Sequence, residues 1–139
     1  MSSPTPAARR RRVVIIGSGF GGLTAAKALK RADVDVTLVA KTTSHLFQPL
    51  LYQLATGILS AGDIAPTTRL ILKRNKNCQV LLGEVQDIDL TAKTVTSKLM
   101  TMETVLPFDY LIVAAGAEQN YFGNDHFATF APGMKTIDE

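Results

Sequence analysis

Cysteine is almost missing from this sequence: Cys78 is the only one in 139 residues. No intramolecular disulfide can form, and an electron-shuttling dithiol is excluded. A single cysteine reads as a small apolar residue, buried or half-buried. No apolar run approaches the roughly 18 residues of a membrane-spanning helix. Aromatic residues supply only 6% of the chain and no basic stretch is interleaved with them, which argues against nucleic-acid binding. His45 and His126 stand apart from any cysteine or acid cluster at ligand spacing, so neither supports a metal site. Internal repeats, heptads and low-complexity blocks are missing as well.

What is present is globular. A hydrophobic share of 46% against 19% charged residues fits one domain with a real core, and the length supports one such core rather than two. The net charge of +3 misleads, because Arg9 to Arg12 alone supply four positive charges and no acid lies in residues 1–12, leaving the rest at −1 (+3 less four). Residues 1–11 read as a disordered, solvated basic tail, and 12–139 as the folded part. The arginines followed by Val13-Val14-Ile15-Ile16 do not make a signal peptide: the apolar stretch is only four residues long, and Lys27 interrupts its far end. A cytoplasmic start is expected.

The most informative segment is Arg12-Val13-Val14-Ile15-Ile16-Gly17-Ser18-Gly19-Phe20-Gly21-Gly22, an apolar strand running into a glycine-rich turn that opens a helix. A dinucleotide pyrophosphate needs that order. Gly17 permits the tight turn, Gly19 admits the phosphates close to backbone, and Gly22 lets helix and strand pack closely. The helix N-terminus then aims unpaired N–H groups and a partial positive charge at the anion. From Gly22 to Arg31, Gly22, Ala25, Ala26 and Leu29 recur at helical spacing, with Thr24, Lys27 and Arg31 opposite. Val36 to Val39 read as the next strand.

Further on, Pro49 precludes a regular helix through Leu46–Thr56, and Gly57 ends whatever follows. A helix is expected from Pro66 to about Arg74, and a short strand at Gln79–Leu82. Between Val85 and Leu106 the period shortens to two, which predicts three antiparallel strands inserted between parallel ones. Tyr110-Leu111-Ile112-Val113-Ala114-Ala115 is a continuous apolar run, the mark of a strand buried on both faces of a parallel sheet. The fold class is therefore α/β: a Rossmann-like, three-layer dinucleotide-binding fold with a parallel sheet and a small antiparallel insert. Phe122–Asp125 and Ala131–Met134 are loop-like. Thr136 reads as a helix cap with Glu139 three residues on, and the chain stops there, as if cut.

Dinucleotide sites of this design hold the ribose with an acid about 20 residues beyond the glycines. Here the second strand ends at Ala40-Lys41, and that acid is missing. Two readings stay open: an NADP site with Lys41 on a 2′-phosphate, or a ribose held by Lys41, Thr42 or backbone.

Three segments together resemble the N-terminal part of a type II NADH dehydrogenase, the single-subunit FAD enzyme that passes electrons from NADH to a membrane quinone. They are Val13–Gly22, His45-Leu46-Phe47-Gln48-Pro49-Leu50-Leu51-Tyr52-Gln53-Leu54-Ala55-Thr56-Gly57, and Phe108–Gly116, of which the middle one is the specific one. The resemblance implies that Gly17, Ser18, Gly19, Phe20, Gly21 and Gly22 bind the FAD pyrophosphate and that Ala40 and Lys41 lie at its adenosine ribose. It also implies backbone from Gly83-Glu84-Val85 against the adenine, Gln48 and Pro49 near the isoalloxazine, and Ala115 and Gly116 beside the cofactor. No residue is assigned a catalytic acid or base role.

The same resemblance implies a second, NADH-binding domain, a quinone site and membrane-binding helices beyond residue 139. It implies a peripheral protein at the inner face of the cell membrane, often homodimeric, and a 139-residue chain that does not turn over alone. Two alternatives remain: another quinone-coupled flavoprotein, such as a sulfide:quinone oxidoreductase, which needs paired cysteines; and a free-standing NAD(P)-binding module without catalysis.

Overall fold

In the computed structural model of the chain, residues 9–117 and 120–131 are described. Apolar residues on both faces of Arg11–Ile16 (β1) place it centrally in a parallel sheet, between Val34–Ala40 (β2) and Tyr110–Val113 (β7). Cys78–Leu82 (β3) pairs with β2, giving the order β3-β2-β1-β7. Glu84–Asp89 (β4), Thr94–Leu99 (β5) and Met102–Pro107 (β6) form a separate antiparallel meander.

Alternation along the central strands fills two cores. Val13, Ile15, Val36 and Leu38 pack with Leu23 and Ala26 of the helix Phe20–Ala28 (α1), and with Leu72. Val14, Ile16 and Val39 face the other way, onto Val95 of β5 and Phe108. Helices, parallel sheet and meander are thus the three expected layers. The inner face of α1 includes Leu23, buried at 4% exposure, which the sequence reading passed over. Three residues of 3₁₀ helix, Leu29–Arg31, end it. The Asn77 side-chain amide then donates to the Leu29 carbonyl at 2.9 Å and the Val34 carbonyl at 3.1 Å, tying the helix exit to the start of β2.

Several expectations are corrected. The basic tail is shorter than supposed: Arg11 is the first residue of β1, Arg10 pairs with Asp33 at 2.8 Å, and Arg9 and Arg12 both reach Asp109, at 3.1 and 3.5 Å. Acids far along the chain hold these arginines in place. The helix expected from Pro66 is only Thr68–Ile71 (α4), with Thr67 as its cap residue and Pro66 outside it. The Pro66 carbonyl instead accepts from the His45 N–H at 2.9 Å. Two further short helices, Leu51–Ala55 (α2) and Ala61–Ile64 (α3), lie in the crossover. The Ser60–Asp63 capping box, with the Ser60 N–H donating to the Asp63 carboxylate at 2.9 Å, explains where α3 starts.

The run Tyr110–Ala115 is not buried on both faces throughout. Leu111 faces the meander core and Ile112 the helix-side core, but Tyr110 and Val113 are 59% and 63% exposed. Among the described residues no strand pairs with the far side of β7. Phe122 and Gly123 form a turn with positive φ, as the loop reading expects, but 3₁₀ helix follows at Asp125–Thr129. The segments expected at 1–8 and 132–139, including the helix start at Thr136, lie outside the described residues.

Candidate functional site at the carboxyl ends of the strands

Gly17 follows β1 directly with φ +101, a conformation that a side chain makes costly. A Cβ there would also collide with the Ala114 carbonyl beyond β7. The Gly17 N–H donates to the Val39 carbonyl at 2.9 Å, which holds the turn against the end of β2. A Cβ on Gly22 would strike the Gly17 carbonyl and stand 3.4 Å from Leu38 Cδ1, so the first turn of α1 rests directly on the glycine turn. Gly19 differs: a Cβ there would meet no atom of the described residues within 4 Å. It opens the turn to free space in front of the helix.

Gly19 is also the N-cap of α1, with no side-chain cap and no acid in the first turn. Among the described residues no carboxylate or hydroxyl receives the leading N–H groups of this nine-residue helix. Partial positive charge and unclaimed donors make this a site for an anionic group, and the open face of Gly19 lets that group reach backbone. The residues present fit a pyrophosphate.

The other expected site residues gather at the same end of the sheet, by different routes. Ala40 is 1% exposed, so its side chain belongs to the core and only its backbone faces the site end. Lys41 is exposed and its Nζ lies 2.7 Å from Glu84 Oε1. The Gly83 N–H donates to the Ala40 carbonyl at 2.9 Å, and a Cβ on Gly83 would collide with Ser97 Oγ. That close passage carries the chain from β3 into β4 and sets Glu84 beside Lys41. Val85 is half-buried in the meander-side core. Ala115 and Gly116 are exposed just past β7, with Gly116 at φ +79. The Ala114 N–H donates to the Ile16 carbonyl at 2.8 Å, placing that segment beside the glycine turn.

Gln48 and Pro49 sit in an exposed 3₁₀ turn, Gln48–Leu50. Two residues to which the sequence reading gave no role bring this turn to the site. His45 Nδ1 lies 2.9 Å from the Ser18 carbonyl. A carbonyl only accepts, so Nδ1 carries the proton. The Phe20 ring, at the first position of α1, meets the His45 ring edge-on at 5.0 Å and the Phe47 ring at 5.5 Å. His45 and Phe47 were visible as part of the His45–Gly57 motif, but nothing local showed that they fold onto Phe20. Glu84 was likewise hidden, because its partner is 43 positions away in sequence and just past the end of a strand in the other sheet.

Comparison with known proteins identifies the family. Residues 11–138 match the family model described as pyridine nucleotide-disulphide oxidoreductase. The chain is 78% identical over 136 residues to the type II NADH:quinone oxidoreductase NdhA of Mycobacterium tuberculosis, covering 98% of this chain and 29% of that protein. It is 67% identical over 131 residues to the type II NADH:quinone oxidoreductase Ndh of the same organism, covering 94% of this chain and 28% of that one. The solved structure of NDH2 from Plasmodium falciparum in complex with NADH superposes with a TM-score of 0.85 at 30% identity, over 94% of this chain and 27% of that one. The chain thus spans under a third of the length of these relatives.

Proposed function

Since the chain belongs to the pyridine nucleotide-disulphide oxidoreductase family, we propose that it is the FAD-binding N-terminal portion of a type II NADH:quinone oxidoreductase. The observation that carries the reading is the uncapped N-terminus of α1, opening at Gly19 with no acid in its first turn. Identity of 78% along nearly the whole chain to an enzyme of that name selects this activity among those of the family. NADH and quinone are then the substrates of the complete protein.

FAD, when bound, supplies the two-electron acceptor and donor that links hydride removal from NADH to quinone reduction. The work of this chain is binding and orientation. Backbone N–H groups at Gly19 to Gly22 receive the pyrophosphate, and His45 holds the Ser18 peptide that begins the turn. Ala115 and Gly116 pass beside the cofactor, Val85 offers backbone to the adenine, and Gln48 and Pro49 reach toward the flavin ring. NADH binding, the quinone site and membrane attachment are proposed for the complete protein, of which this chain spans under a third. No helix among the described residues is long and apolar enough to cross a membrane; for the complete protein the reading is a peripheral one at the inner face of the cell membrane.

The test is a titration of the purified chain with FAD and with NADPH, followed by flavin fluorescence and calorimetry. FAD binding without NADPH binding supports the proposal. NADPH binding without FAD binding overturns it in favour of a free-standing nucleotide-binding module. Purified 139-residue chain with FAD, NADH and a soluble quinone is expected to show no NADH oxidation.

A further inference from the structure

The carboxylate that β2 lacks is present after all, delivered from another strand. Lys41 directly follows β2, and Glu84 opens β4 just after β3 has ended at Leu82. Both strand ends lie on the side of the sheet that carries the glycine turn, because the Gly17 N–H donates to Val39 and the Gly83 N–H to Ala40. In open parallel sheets this is where the ribose of a dinucleotide comes to rest. The 2.7 Å contact between Lys41 Nζ and Glu84 Oε1 spans the two strand ends.

We propose that Glu84 and Lys41 together form the adenosine-ribose subsite of the bound dinucleotide, Glu84 standing in for the acid missing at Ala40. The assignment rests on the FAD reading above. A carboxylate offers about four acceptor positions, so one contact with Lys41 leaves Glu84 able to accept from vicinal hydroxyls. The exposed ion pair contributes little to folding, and stabilisation does not account for its placement. The pair also decides between ligands. A lone Lys41 would attract a 2′-phosphate, whereas Glu84 cancels that charge and repels the phosphate at the same contact. The subsite therefore takes a ribose with free hydroxyls and discriminates against the 2′-phosphorylated form.

The chain and its Glu84→Gln, Lys41→Met and Glu103→Gln variants would be titrated with FAD and with an FAD analogue carrying 2′-deoxyadenosine, with circular dichroism to confirm folding. Glu84→Gln is expected to weaken FAD binding on the order of tenfold, as loss of a charged hydrogen bond does. It should weaken the deoxy analogue measurably less than FAD, because one of the two hydroxyls that Glu84 would contact is gone. Lys41→Met should also weaken FAD. Glu103→Gln, an exposed carboxylate elsewhere on the meander, should leave FAD affinity unchanged. Equal weakening of FAD and analogue by Glu84→Gln, or no weakening of either, overturns the subsite while the FAD reading stands. Failure of the unchanged chain to take up FAD overturns both.

Discussion

Replacing Gly19 and Gly17 by alanine, one at a time, separates folding from binding, because the two glycines are there for different reasons. Gly19 has φ −70 and ψ −168, extended backbone open to any residue, and an added Cβ meets no atom of the described residues within 4 Å. Gly19→Ala should therefore cost no more than about 1 kcal/mol, the loss expected for alanine at a helix N-cap less what restricting the unfolded chain returns. The methyl group does, however, fill the space through which a pyrophosphate approaches the α1 N–H groups. Losing one charge-assisted hydrogen bond costs about 1.5–3 kcal/mol, a factor on the order of 10 to 150 in affinity. Gly17→Ala is the reverse. It adds roughly 1–2 kcal/mol of left-handed backbone strain, plus about 1–3 kcal/mol for displacing the Ala114 carbonyl. The melting temperature should fall by roughly 10–20 °C at the usual scaling for a domain of this size. The assays are thermal melting without ligand and FAD titration by flavin fluorescence. A Gly19→Ala chain that melts well below the unchanged one while binding FAD normally would refute the reasoning.

Three other outcomes follow from the packing. The Arg12 backbone N–H, 2.7 Å from Asp109 Oδ2, holds that carboxyl below its ordinary value of 3.8 against the opposing effect of burial, with further help from the Arg12 and Arg9 guanidinium groups. A depressed folded-state value means that this stabilisation is present above the unfolded value and is lost as pH falls through the folded one. Asp109→Asn should accordingly lower stability to urea at pH 7 and flatten its decline below about pH 4. Asn77→Ala removes the amide that ties Leu29 to Val34, and should destabilise by about 1–3 kcal/mol in denaturant titrations. Burial pushes the Cys78 thiol up, so a maleimide at pH 8 should label the native chain more slowly than a free thiol, and unfolding in urea should abolish the difference.

The local chemistry of this protein was legible in the sequence. A strand that alternates between two cores, glycines at the turn, an amphipathic helix behind them and a period of two from Val85 all state their structure over a few residues. Steric rules and side-chain periodicity act at that range, which is why the order of elements could be read without a neighbour in view. Tertiary structure alone decided the rest. It set Glu84 against Lys41, His45 on the Ser18 carbonyl, and Asp109 under Arg9 and Arg12 across about a hundred residues of sequence. Among the described residues it pairs β7 on one side alone, and Tyr110 and Val113 are exposed there. A side chain carries its own conformational preference and polarity but no record of which distant partner the fold will bring to it. That pairing depends on strand order and on where the chain crosses between sheets, as it does at Gly83.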